Sequence, residues 1–160
     1  MSIDVIKANY TDPEHSHDIS YLLNCYAQDP MGGGFELPEY VKINLASALS
    51  NLPNAFSFLC YVDHQPAGLV NCFEGFSTFT CKPLMNIHDI IVNSAFRGRG
   101  ISQQLLASVE SLAIARGCCK ITLEVLDGNL SAKHAYKKFG FSGYELDPTM
   151  GKALFWEKPL

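Results

Sequence analysis

The sequence predicts a mixed α/β domain, and three observations carry that expectation. An apolar run over 87–92 leads into a glycine-bearing turn. Ile101, Leu105, Val109, Leu112 and Ala113 then recur at helical spacing until Gly117, so strand, loop and helix follow one another directly. Elsewhere, helical periodicity alternates with short stretches rich in aromatic and β-branched residues. Composition agrees: 48% hydrophobic and 18% charged residues are ordinary for a compact globular chain. A length of 160 residues suits a single domain over 1–160, with no repeat, linker or low-complexity run.

Taken in order, Ile3, Val5 and Ala8 suggest a first strand ending near Asn9 and Tyr10. Thr11 or Asp12, followed by Pro13 and Glu14, signals a helix start, and Ile19, Leu22, Leu23 and Tyr26 fall on one face of that helix. Asp29, Pro30 and the glycines at 32, 33 and 34 break it, leaving either a mobile lid or a plain connector. Pro38 opens a second helix, with Val41, Leu45, Ala48, Leu49 and Leu52 as its inner stripe, ending at Asn54. Residues 55–62 and 67–76 read as a hairpin turning at 63–66, and 77–83 as a second loop. Glu74, in the partner strand, either points to solvent or reaches an amine substrate. After the central strand and the helix over 98–116, residues 121–126 make a further strand. Asn129 caps a helix running to Phe139, Gly140 ends it, and 141–145 with 153–158 read as a closing antiparallel pair.

A net charge of −4 argues against a nucleic-acid binder working through bulk charge. The six cysteines fit no zinc or redox spacing, and several fall in apolar strand patterns, as reduced thiols of a cytoplasmic protein do. The N-terminus lacks the regions of a signal peptide, and no segment is apolar enough to span a membrane. The histidines at 15, 17, 64 and 134 lack metal-ligand spacing, so no metal is expected.

The stretch from Val92 to Ser102 carries the first chemical signal. Gly98 and Gly100 let backbone approach a ligand, the start of the following helix adds its positive dipole end, and Arg97 and Arg99 add full charges. A pyrophosphate suits such a site. The spacing matches neither the dinucleotide-binding Gly-x-Gly-x-x-Gly nor the triphosphate loop ending in Gly-Lys-Ser/Thr. A second stretch sets Asn129, Ala132, Tyr136, Gly140 and Phe141 in the pattern Asn-x-x-Ala-x-x-x-Tyr-x-x-x-Gly-Phe.

With both motifs, in this order and separation, the chain resembles the GNAT superfamily of N-acetyltransferases from about Ile87 to Phe141. Arg97, Gly100 and Ser102 match its Arg/Gln-x-x-Gly-x-Gly/Ala. Ser102 departs from the preferred Gly or Ala, but its hydroxyl is small and able to donate to phosphate. The resemblance implies a GNAT-like domain: a central, mostly antiparallel mixed sheet with splayed fourth and fifth strands, flanked by about four helices. It implies acetyl-CoA as co-substrate, held by the backbone of Ile90, Ile91 and Val92 and by Arg97, Gly98, Arg99, Gly100, Ile101, Ser102 and Asn129. Tyr136 takes the family's place of general acid on the leaving thiolate. The implied reaction is acetyl transfer to a primary amine, small-molecule or peptide, in a ternary complex, with no membrane or nucleic-acid partner and a homodimer admitted. A silent acyl-CoA-binding module of the same fold is the alternative.

His88, nine residues before Arg97, is the candidate general base. The family often has Glu there, one branch has a proton-carrying His, and imidazole titrates near neutrality. Strand alternation places Asn86, His88, Ile90 and Val92 on one face and Ile87, Asp89 and Ile91 on the other. A core histidine bonded to a carbonyl is the competing reading of His88. Asp89, Glu124 and an ordered water are the alternative bases, and either carboxylate could instead bind the amine as counter-charge or cap a loop.

Overall fold

In the computed structural model, which describes Met1–Leu160, five strands form one sheet in chain order. They are β1 (Ile3–Lys7), β2 (Ala55–Val62), β3 (Gln65–Ser77), β4 (Lys82–Val92) and β5 (Ile121–Leu123). The first four pair antiparallel, whereas β4 and β5 run parallel. The helices are α1 (Pro13–Gln28), α2 (Glu39–Ser50), α3 (Ile101–Ala115) and α4 (Leu130–Phe139), with 3-10 turns at Pro30–Gly32 and Ser94–Phe96. Two compact units divide the chain, Met1–Leu123 and Glu124–Leu160. No helix is long and apolar enough to cross a membrane.

Local chemistry explains most element bounds. The Asp12 carboxylate accepts from the N–H groups of Glu14 and His15, and Pro13 opens α1. The helix then buries Ile19 and Leu22 completely. Helix α2 starts after Pro38 and buries Ala46 and Leu49, but it stops at Ser50, and Ala48 and Leu52 of the expected inner stripe are exposed. The β2–β3 turn is tighter than expected. Only Asp63 and His64 form it, both at positive φ (47° and 66°), as a two-residue hairpin loop of this hand requires. Strand β4 begins at Lys82 rather than Ile87. The loop expected over 77–83 is therefore a short turn with Cys81 at φ 53°, and Pro83 sits near the strand's start, where a missing N–H is tolerated.

The sheet carries helices on both faces. Leu59, Leu69 and Ile91, in register across β2, β3 and β4, pack on Ile19 and Leu22 of α1. On the opposite face Gly68 lies under α3, where an added Cβ would stand 2.8 Å from Ile101 Cγ2 and 3.0 Å from Leu105 Cδ1. Gly68→Ala is therefore expected to destabilise by about 1–3 kcal/mol, the range of overpacked cores. The measurement is a lowered urea midpoint at unchanged m-value; an unmoved midpoint would mean that α3 shifts freely. Cys60 and Cys72 are fully buried, and burial pushes their thiols up to about 11 and about 12.

One irregularity in β4 corrects the alternation read from the sequence. Asn71 pairs with Asp89 while the adjacent Cys72 pairs with Ile87, so His88 is an extra residue, a β-bulge. The bulge exchanges the faces beyond it. Asn86, Asp89 and Ile91 share the α1 side, and Ile87, Ile90 and Val92 share the α3 side.

In the second unit the Asn129 side chain accepts from the Ala132 N–H (3.2 Å), and Gly140, at φ 116°, ends α4 as expected. Strand β5 stops at Leu123, leaving Glu124, Val125 and Leu126 outside it. The closing antiparallel pair is reduced to one bridge, between Glu145 and Lys152. A lone two-stranded ribbon is marginal, and only the rung beside the Asp147–Thr149 turn forms.

Candidate active site

The bulge sits at the end of a polar row that crosses three strands. Ser57, Asn71 and Asp89 are in register on β2, β3 and β4. The Ser57 hydroxyl donates to Asn71 Oδ1 (2.6 Å), which leaves Tyr10 to donate its phenolic proton to Ser57 Oγ (2.9 Å). Asn71 Nδ2 in turn donates to Asp89 Oδ2 (3.1 Å). Ser57 and Asn71 are almost wholly buried, so this chain fixes the carboxylate's position from inside the sheet.

Above Asp89 lies a cavity of about 400 Å³, into which the bulge brings His88 as well. Its remaining wall is apolar: Leu23, Tyr26 and Ala27 from α1, Leu37, Leu45 and Leu49 from α2 and its approach, and Phe73 from β3. The His88 ring meets Phe73 edge-on with centroids 5.9 Å apart and is otherwise exposed. Burial, and then the charges of Asp89 and Asp29, raise the Tyr26 phenol above its ordinary value. Gly32 borders the cavity, and its Cβ would collide with the Tyr26 carbonyl. The three-glycine segment is a tied connector rather than a lid: Gly32 and Gly34 donate to the Asp29 carbonyl, and Phe35 donates to that of Ala27.

Beyond the bulge, β4 meets the second predicted feature. Its pairing with β5 covers only 85–87. Over 88–92 it has β3 on one side and no strand on the other within this unit, so Ile90, Ile91 and Val92 offer a free backbone edge. After Val92 the 3-10 turn is capped by Asn93, and Gly98 and Gly100 adopt φ 79° and 78°. Helix α3 begins at Ile101, later than the sequence suggested, because Gly100 is its N-cap and no side chain caps it. Space beside both glycines is open. An uncapped helix start behind two left-handed glycines is a cradle that fits a phosphate group.

The arginines are already engaged. Arg97 Nε donates to the Val92 carbonyl (3.3 Å), and its terminal nitrogen pairs with Asp29 Oδ2 (3.2 Å). The Met31 N–H and Arg97 hold the Asp29 carboxyl below the usual range. Arg99 lies over the Phe96 ring. Glu74 pairs with Arg116, which holds its carboxyl low, so it is not a free counter-charge for an amine. Asn129 and Tyr136 belong to the second unit, where the Tyr136 ring meets Phe141 edge-on at 6.0 Å.

Sequence reasoning missed Asp29, the Ser57–Asn71 relay and the cavity wall. A signal for the relay was present, a lone Asn inside the apolar run from Leu69 to Phe73; the Asp29–Arg97 pair spans 68 positions and had none.

A sequence profile of the acetyltransferase (GNAT) family matches residues 19–141. Over 90 residues the chain is 34% identical to an uncharacterized N-acetyltransferase of Methanocaldococcus jannaschii, covering 56% of this chain and 40% of that protein. Over 65 residues it is 35% identical to the thialysine N-epsilon-acetyltransferase of Sus scrofa, covering 41% of this chain and 38% of that one. The match spans about two fifths of these relatives' length. Among solved structures, an aminoglycoside N-acetyltransferase in complex with CoA has a TM-score of 0.75 at 19% identity, covering 99% of this chain and 96% of its own. An aminoglycoside acetyltransferase from an uncultured soil metagenomic sample, in complex with sisomicin, has a TM-score of 0.79 at 14% identity over the same shares. At such identities the likeness is one of fold.

Proposed function

The chain belongs to the acetyltransferase (GNAT) family, and from that premise we propose that it moves the acetyl group of acetyl-CoA to a primary amine by direct attack in a ternary complex. One observation carries the reading: the β4 bulge turns His88 and Asp89 together into a cavity, while the strand beyond it runs free-edged to the uncapped start of α3.

In this reading the backbone of Ile90, Ile91 and Val92 lies along the pantetheine arm. The turn from Arg97 through Ser102, with Asn129, serves the nucleotide end. The amine arrives as an ammonium and loses one proton to His88. Its lone pair then forms the N–C bond to the acetyl carbon as the C–S bond breaks. The sulfur leaves as thiolate and takes a proton from Tyr136, the excess proton of the new amide nitrogen restores that phenol, and His88 passes its proton to solvent. The sum is amide, CoA thiol and one proton released. No metal is required by these steps. The reading includes a cytoplasmic setting and one catalytic domain over 1–160, and it admits a homodimer.

The test is thiol release from acetyl-CoA with purified protein and a panel of amines. Exposed Cys81 and Cys119 add only a fixed, stoichiometric background. No release with any amine, from protein that binds acetyl-CoA, would leave a silent acyl-CoA-binding module instead.

Two binding predictions arise from the loop. Gly100→Val puts a β-branched residue at φ 78°, a strain of about 1–3 kcal/mol that moving the backbone relieves. Its side chain would also enter the open space beside the helix start. Acetyl-CoA affinity by calorimetry is expected to fall about tenfold or more; unchanged affinity removes the loop from the site. Asp29→Asn, by contrast, keeps an acceptor for the Met31 N–H but frees Arg97 from its charge partner. Because the Arg97 side of the pair is exposed and exposed pairs contribute about 0.2–1 kcal/mol, affinity should rise by only about two- to fivefold. A fall would show that the Asp29 pair positions Arg97 rather than competing with the ligand.

A further inference from the structure

We propose that the cavity at the His88 bulge is the acceptor site and that it selects a primary monoamine with a compact, uncharged apolar body. The inference rests on the acetyl-transfer reading and adds the substrate class. It follows from what the wall can and cannot partner. Asp89 is the one carboxylate in the lining. The Tyr10–Ser57–Asn71 chain holds its Oδ2, while Oδ1 accepts no hydrogen bond from the protein. That leaves one charged acceptor for one ammonium, beside the imidazole that would take its proton.

Most of the rest of the cavity is apolar, built from Leu23, Leu37, Leu45, Leu49 and Phe73, with the Tyr26 phenol as its one further hydroxyl. A second ammonium placed against these side chains would lose its hydration and find no counter-charge. Most of a sugar ring's hydroxyls, or of a peptide's N–H and C=O groups, would likewise go unpaired, because the polar groups of the wall are few: Asp89, His88, the Tyr26 hydroxyl and an Asn71 amide already held by Ser57 and Asp89. An alkyl or aryl body instead gains from contact with the same wall. The volume, about 400 Å³, lies at the small end of the range of ~300–1,000 Å³ for ligand clefts.

The experiment compares kcat/KM at saturating acetyl-CoA for 2-phenylethylamine, 1,4-diaminobutane, spermidine, an aminoglycoside and a lysine-containing peptide. The monoamine is expected to lead by about tenfold or more, the scale of one unpaired charged group. A polycation or peptide that equals or exceeds it overturns the proposed class while leaving acetyl transfer intact. If no amine releases thiol, acetyl transfer itself fails, and calorimetric titration of the amines then decides the class alone: 2-phenylethylamine binding more tightly than 1,4-diaminobutane upholds it, and the reverse or no binding overturns it. Leu37→Asp supplies the matching variant, since the Leu37 N–H is anchored on Asn24 Oδ1 (2.8 Å) and the change adds a second carboxylate to the wall. Its preference should move toward 1,4-diaminobutane by about tenfold. With the fold confirmed by thermal melting, an unmoved ratio would place the amine elsewhere.

Discussion

Tyr136→Phe is expected to lower kcat by about 10²–10⁴-fold, the usual contribution of a general acid–base group, with acetyl-CoA affinity almost unchanged. The substitution keeps the ring and its edge contact with Phe141 and deletes only the hydroxyl. The α4 cap at Asn129 and the αL residue at Gly140 do not depend on it, so the helix should persist, and circular dichroism checks that. Phenol is suited to the role because its ordinary pKa near 10 lets it donate to a thiolate without ionising at neutral pH. The loss should fall on kcat rather than on the binding of either substrate, since thiolate charge develops only as the C–S bond breaks. A viscosity series separates chemistry from product release. Turnover near that of the parent, with chemistry rate-limiting, would take Tyr136 out of the proton path.

Much of the frame was legible because it is written in local signals. Asp12 before Pro13, the paired glycines before α3, and Asn129 and Gly140 around α4 each meet a backbone need within a few residues. Those signals also carry the two motifs, which is why family and cofactor chemistry could be read early. What stayed hidden depends on register. A one-residue bulge changes nothing in composition, yet it reverses which of Asp89, Ile90 and Ile91 share a face with Asn86. Only across strands does Asn71 become the tether of Asp89, and only in the folded sheet do Leu37 and Phe73 line one cavity. The closing strand pair failed for a related reason: 153–156 is a short apolar run, but no neighbouring strand completed the ladder.

The bulge also sets the second large effect. His88→Gln is expected to lower kcat/KM by about 10²-fold or more near neutrality and to recover part of the loss at high pH. In the parent, only the neutral imidazole accepts a proton, so kcat/KM should rise with pH along a limb that depends on His88. Glutamine keeps comparable size and some hydrogen-bonding capacity but does not titrate, so that limb should vanish from the profile. What remains is the ionisation of the amine itself, measured separately and divided out, because kcat/KM reports free enzyme and free substrate. Recovery at high pH follows since amine that is already neutral needs no base for its first proton. Structural damage should be small: His88 is an exposed bulge residue whose ring meets Phe73 only edge-on. Asp89 gives the control. Held by Asn71 at 3.1 Å and facing the same cavity, it is the next carboxylate able to take the proton. If His88→Gln keeps both the rate and the pH limb, the base is not His88, and the same profile on Asp89→Asn and Glu124→Gln then distinguishes the carboxylates from an ordered water.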